Sequence, residues 1–104
     1  MLLGEWRAWW KTSGEQGLRR LLFENWDPFG DPDFRVVADD QLLPLARRLH
    51  EGATLVDVQT FLHDLRRTRW PERMGRKWTG RDRAVARKVV AWYRTATGEQ
   101  PVKK

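Results

Sequence analysis

A chain of 104 residues with 40% apolar content, no cysteine and a net charge of +6 can build one small core, but it cannot form disulfides or thiolate metal sites. No apolar run approaches the ~18 residues of a membrane span, and Glu5 and Arg7 break up the apolar stretch a signal peptide would need. A soluble, cytoplasmic protein with no membrane partner is the expectation.

Trp6, Trp9 and Trp10 follow an i, i+3, i+4 pattern behind Leu2 and Leu3, the signature of a short helix. Ser13-Gly14-Glu15-Gln16 has the spacing of a capping box, and Gly14 and Gly17 mark a break before a second helix. That helix carries Leu18, Leu21, Leu22 and Trp26 on one stripe and ends at Asp27-Pro28, because proline disfavours a helical conformation at the residue before it.

Residues 27–38 read as an irregular loop holding Pro28, Gly30, Pro32 and the acids Asp27, Asp31 and Asp33, with Phe34 to Val37 briefly extended. A third helix is expected from Asp39 or Asp40, with Pro44 in its first turn and Leu42, Leu45, Ala46 and Leu49 on its apolar face, stopping at Gly52. Thr54 then caps a fourth helix with Leu55, Val58, Leu62 and Leu65 in register and Phe61 flanking them, up to Trp70-Pro71. Thr79-Gly80-Arg81-Asp82 reads as the cap of a last helix carrying Val85, Val89, Trp92 and Ala96 and closing at Gly98. The fold class is therefore all-α, with about five helices (one of them short) around a single core in residues 1–98, and a flexible basic tail at 99–104.

The run Leu21-Leu22-Phe23-Glu24-Asn25-Trp26-Asp27-Pro28-Phe29-Gly30 is followed by an acidic loop and then by Leu49-His50-Glu51-Gly52-Ala53-Thr54. Over residues 18–66 this resembles a family of small bacterial helical proteins of unknown function. Its members share a helix ending in Trp-Asp-Pro-aliphatic-Gly and a later helix ending in Glu-Gly-Ala-Ser/Thr. Phe29 departs from that pattern, as do the Trp-rich start and the Arg-rich end. The resemblance implies a helical fold and no activity. The residues themselves make Trp26, Asp27, Pro28, Phe29 and Gly30 a structural turn, with a buried ring, a carboxylate accepting turn N–H groups and a fixed bend.

Little here supports catalysis. His50 and His63 belong to no metal-ligand array, and His50 falls at a helix end, where a capping or surface role suffices. Ser13 is the sole serine, and no glycine-rich phosphate loop exists. Asp27, Asp31, Asp33, Asp39 and Asp40 lack the spacing of a calcium loop, and turns and caps account for them. No enzyme, cofactor or metal is expected. The helix–turn–helix outline of residues 45–65 reads as an ordinary αα-hairpin, because its second helix offers no base before Arg66.

Charge carries the functional signal. Residues 1–64 hold 7 Lys/Arg against 11 Asp/Glu, whereas residues 65–104 hold 13 against 3. Arg66, Arg67, Arg69, Arg73, Arg76, Lys77, Arg81, Arg83, Arg87, Lys88 and Arg94, interleaved with Trp70 and Trp78, compose a candidate binding surface. Arg83, Arg87 and Arg94 fall on one helix side, and Trp70 and Trp78 are expected to be partly exposed in a non-periodic linker. Arginine grips carboxylate or phosphate through two parallel hydrogen bonds, and exposed Trp beside Arg has the composition of an interface centre. The bland reading of the same residues is a solvated cationic face, or pairing with the acidic first two-thirds of the chain. The first expectation is a regulatory or protein-interaction module for an acidic partner. The alternative is a nucleic-acid-binding accessory protein using the same surface through phosphate contacts and base stacking.

Overall fold

The computed structural model describes residues 3–26, 32–72 and 75–98, in backbone alone at 32–34 and 77. Within them the chain is helical, with no strand. Its elements are α1 (Leu3–Trp9), a π-helical turn (Trp10–Gly14), α2 (Glu15–Asn25), α3 (Pro32–His50), α4 (Leu55–Arg69) and α5 (Arg76–Thr97). Because α1, the π turn and α2 run on without interruption, the fold consists of four helical rods, where the sequence suggested about five helices.

The expected break at Ser13–Gln16 is the π turn. Gly14 keeps helical dihedrals (φ −64°, ψ −46°), no side chain caps α2, and the Glu15 N–H donates to the Trp10 carbonyl five residues back. The Thr12 hydroxyl donates to the Ala8 carbonyl at 2.9 Å, one turn back. Gly14 and Gly17 serve packing here. A Cβ on Gly14 would come within 2.8 Å of the Trp9 and Trp10 rings, and one on Gly17 within 2.9 Å of Trp92.

Three helix boundaries differ from the sequence reading. α3 begins at Pro32, not near Asp39, because proline at a first helical position gives up an N–H that would have no partner anyway. The segment 34–37 is thus helical instead of extended, and Pro44 sits deep inside α3 on its exposed side. α5 begins at Arg76, behind Gly75 at φ 112°, so Thr79–Asp82 lies within the helix and is not its cap. The Thr54 cap stands: its Oγ1 accepts from the Asp57 N–H at 3.2 Å while Asp57 Oδ2 accepts from the Thr54 N–H at 2.9 Å. Gly52 (φ 98°) ends α3 in a Schellman motif, with Ala53 N–H to Arg48 O at 2.9 Å and Gly52 N–H to Leu49 O at 3.1 Å, and Gly98 (φ 75°) ends α5. Asp27 to Gly30 and the tail 99–104 lie outside the described residues.

The rods close into a ring. α2 packs on α3, α3 on α4, α4 extensively on α5, and α5 back on α2. The predicted stripes fill the interior: Leu18, Leu22 and Trp26 from α2 and its end, Leu42, Leu45, Ala46 and Leu49 from α3, Val58 and Leu62 from α4, and Val85 and Val89 from α5. Ala96 is exposed, and Tyr93 takes its place in the core. Aromatic rings collect toward both ends of α5. At one end Trp6 stacks parallel to Trp10 (5.9 Å, 2°) and donates from Nε1 to the Tyr93 hydroxyl at 2.9 Å, while Trp9 packs on Trp92 and edge-on to Tyr93. Trp6 and Trp10 therefore belong to the core, and Trp9 packs half-buried against it. His50 is not a plain surface residue either, since its ring lies 4.9 Å from that of Trp6.

Candidate basic interface

α4 and α5 position nearly every residue of the predicted surface, and they divide those residues into three groups. The first is buried. Val58, Leu62 and Arg66 follow one another at four-residue steps on the inner row of α4, so Arg66 continues an apolar stripe into the interior, where it is 3% exposed. Asp82 continues the Val85–Val89 row of α5 in the same way and is fully buried. The guanidinium meets the carboxylate in a close ion pair, with Arg66 Nη2 on Oδ1 and Nε 3.4 Å from Oδ2. Trp26 Nε1 donates to the same Oδ1 at 2.9 Å, and His63 Nδ1 stands 3.8 Å from Oδ2.

Arg66 also lies 5.3 Å from the Trp26 ring centroid and 4.8 Å from that of Trp78. Trp70 closes the cluster edge-on to Trp26 at 6.2 Å and is itself buried. Arg66 and Trp70 therefore do not belong to a solvent-facing surface. Trp78 is half-buried, with Arg81 5.0 Å above its ring, so guanidinium groups already engage the ring on which a base would stack.

The second group is exposed but scattered. Arg67 lies 3.7 Å from Asp64 on α4, and Arg69 faces a groove of about 660 Å³ between α3 and α4 that also holds Arg48, Phe61 and Asp64. Lys88 donates to Asn25 Oδ1 at 2.7 Å, tying α5 to the end of α2. Arg73 and the side chain of Lys77 lie outside the described residues.

The third group is a row. Arg76, Arg83, Arg87 and Arg94 are all exposed on α5, at i, i+7, i+11 and i+18. At 100° and 1.5 Å per residue they fall within about 20° of one line and span roughly 27 Å. Arg76 extends the Arg83–Arg87–Arg94 side identified from sequence. Gly80 and Ala91, small and exposed, flank the row. Among the described residues no carboxylate stands within ion-pair distance of these four, and the one acid of α5, Asp82, points inward. Among the described residues, pairing with the acidic first two-thirds of the chain thus leaves this row untouched.

Within residues 1–64 acids and bases pair with one another. Arg19 of α2 bonds Asp39 of α3 at 2.8 Å, which raises the Arg19 pKa, with Glu15 adding at 3.8 Å. Asp57 is held below the ordinary carboxylate range, first by the Thr54 backbone N–H and then by the Thr54 side chain.

Among the described residues no group of three or more potential metal ligands converges, and no helix is long and apolar enough to cross a membrane. No protein-family profile, curated protein or solved structure matches the chain.

Proposed function

We propose that this chain is a non-catalytic, cytoplasmic binding module that docks an acidic protein partner along the outer row of α5. One observation carries the reading: four arginines aligned on one helix face, without ion pairs among the described residues, beside an acid turned wholly inward. Long cationic side chains held in a straight row present guanidinium forks at fixed intervals. Carboxylates repeating at seven- and four-residue steps along a partner helix match those intervals. Such a row steers an acidic partner and fixes its register.

The nucleic-acid alternative called for aromatic platforms beside the bases. With Trp70 buried and the half-buried Trp78 ring already engaged by Arg66 and Arg81, support for stacking is weaker than support for phosphate contacts. The test is affinity capture from native lysate, with and without nuclease, using the parent chain and the Arg83→Glu, Arg87→Glu variant. A stoichiometric protein that survives nuclease and is lost with the variant supports the proposal. Capture that disappears with nuclease transfers the surface to nucleic acid, and capture indifferent to the charge reversal removes the row from function.

A further inference from the structure

A second site lies on a different part of the molecule, independent of the α5 row. Between α1 with its π turn and the second half of α3 there is a cleft of about 360 Å³. Its apolar walls are Leu3, Trp6, Trp10 and Leu43, and its rim holds Arg7, Lys11 and Arg47 together with His50 and Glu51. The sequence builds this arrangement from two adjacent helical rows. Trp6 and Trp10 form the inner row of α1 and its π turn, Arg7 and Lys11 the row beside it, and Leu43 and Arg47 face them one turn apart on α3.

The cleft sits beside the only π turn among the described residues, a feature that recurs at functional sites because it costs backbone geometry to keep. Here the wider turn carries Trp10 and Lys11 and leaves Trp10 parallel to Trp6. Leu3 and Leu43 remain 52% and 36% exposed, so apolar surface at the mouth is left uncovered. Arg7, Lys11 and Arg47 are exposed, and none is in an ion pair among the described residues, which leaves three cations against one carboxylate at the rim.

We infer that this cleft binds a small amphipathic carboxylate, with its apolar body against the two indoles and two leucines and its head on Arg7, Lys11 and Arg47. The volume is near the lower end of ligand pockets (~300–1,000 Å³), which suits a free acid of modest size. The cationic rim selects the anionic head, since a carboxylate takes bidentate hydrogen bonds from arginine. A neutral molecule of the same body gains the apolar contacts alone.

The experiment titrates decanoate, and separately decanol, into the full chain while following the Trp6 and Trp10 indole N–H resonances by NMR. Decanoate should shift both in a saturable, single-site manner, and decanol should bind at least about tenfold more weakly, the scale of one charge-assisted hydrogen bond. Arg7→Glu with Arg47→Glu should weaken decanoate by a similar factor, and Arg83→Glu with Arg87→Glu on α5 should leave it unchanged. Should the first double variant unfold, Arg47→Gln alone gives the same comparison. Equal binding of decanol, indifference to the rim variants, or no saturable shift at Trp6 and Trp10 would overturn the inference.

Discussion

Arg66 and Asp82, on neighbouring helices, form an ion pair with side chains 4% and 1% exposed, and the Trp26 indole N–H shares the carboxylate. Three helical segments thus meet at one charged point inside an otherwise apolar interior. Taking two ions out of water is expensive, and their attraction repays the cost only when hydrogen bonds occupy the remaining positions. The indole N–H occupies one such position on the carboxylate, and the Trp26 and Trp78 rings add cation–π contacts to the guanidinium.

Asp82→Ala should therefore destabilise the fold by about 3–5 kcal/mol in urea unfolding, because it strands the Arg66 charge and removes the acceptor of Trp26. Replacing both partners, as in Arg66→Met with Asp82→Leu, should recover most of that loss. A double variant no more stable than Asp82→Ala would mean that packing around the pair, not the stranded charge, sets the cost.

The glycines separate packing from propensity. Gly80 lies on the exposed side of α5 with open space where a Cβ would be, so Gly80→Ala should stabilise by about 0.5–1 kcal/mol through helix propensity. At Gly14 the same substitution drives a methyl into two indole rings at 2.8 Å and should destabilise by about 1–3 kcal/mol. Thermal unfolding of the two variants checks the opposite signs.

The fold was legible where one stripe had one interpretation. Leu18–Leu22–Trp26, Leu42–Leu45–Leu49 and Val58–Leu62 all line the core, and Thr54, Gly52 and Gly98 stop or start helices as their chemistry dictates. The misreadings came from residues with two uses. Pro32 and Gly14 are breakers in isolation, yet one suits a helix start and the other makes room for rings that lie near it only after folding. Arg66 looks like surface charge and Asp82 like part of a helix cap, although each extends an apolar row by one turn and the two signs are opposite. That was the available signal for a buried pair, and it also explains why Trp70 and Trp78 left the predicted surface. Nothing in the local sequence brings Trp6 to Tyr93, 87 residues away.

The Thr54–Asp57 capping box ties stability to pH. Asp57 ionises more readily in the folded chain than in the unfolded one, because the Thr54 backbone and side chain favour its charged form. A carboxyl with a depressed folded pKa contributes stability above its unfolded value and loses it as pH falls through the folded value. Asp57→Ala should thus lower the melting temperature at neutral pH, and the gap from the parent should close below about pH 4, where unfolded carboxylates take up protons. A gap unchanged between pH 7 and pH 3 would show that the carboxylate charge does not contribute through this cap.

The row on α5 separates binding from folding. Arg76, Arg83, Arg87 and Arg94 are exposed and make no ion pair among the described residues, so replacing Arg83 and Arg87 by glutamine breaks no ion pair among them. Stability should stay within about 0.5 kcal/mol of the parent, as for surface substitutions generally. Removing two of six net positive charges also relieves self-repulsion, which acts in the stabilising direction. The partner complex should nevertheless weaken, mostly through slower association and a flatter dependence on salt, because exposed charge steers encounter. Duplex DNA should bind the parent only at the non-specific level of ~10⁻⁴–10⁻⁶ M at physiological salt, and Trp78→Ala should leave single-strand affinity unchanged since the half-buried ring is already engaged by Arg66 and Arg81. Surface plasmon resonance across a salt series measures all three quantities. A loss of 1–3 kcal/mol in single-strand affinity on Trp78→Ala, the scale of one stacked base, would instead assign the surface to nucleic acid.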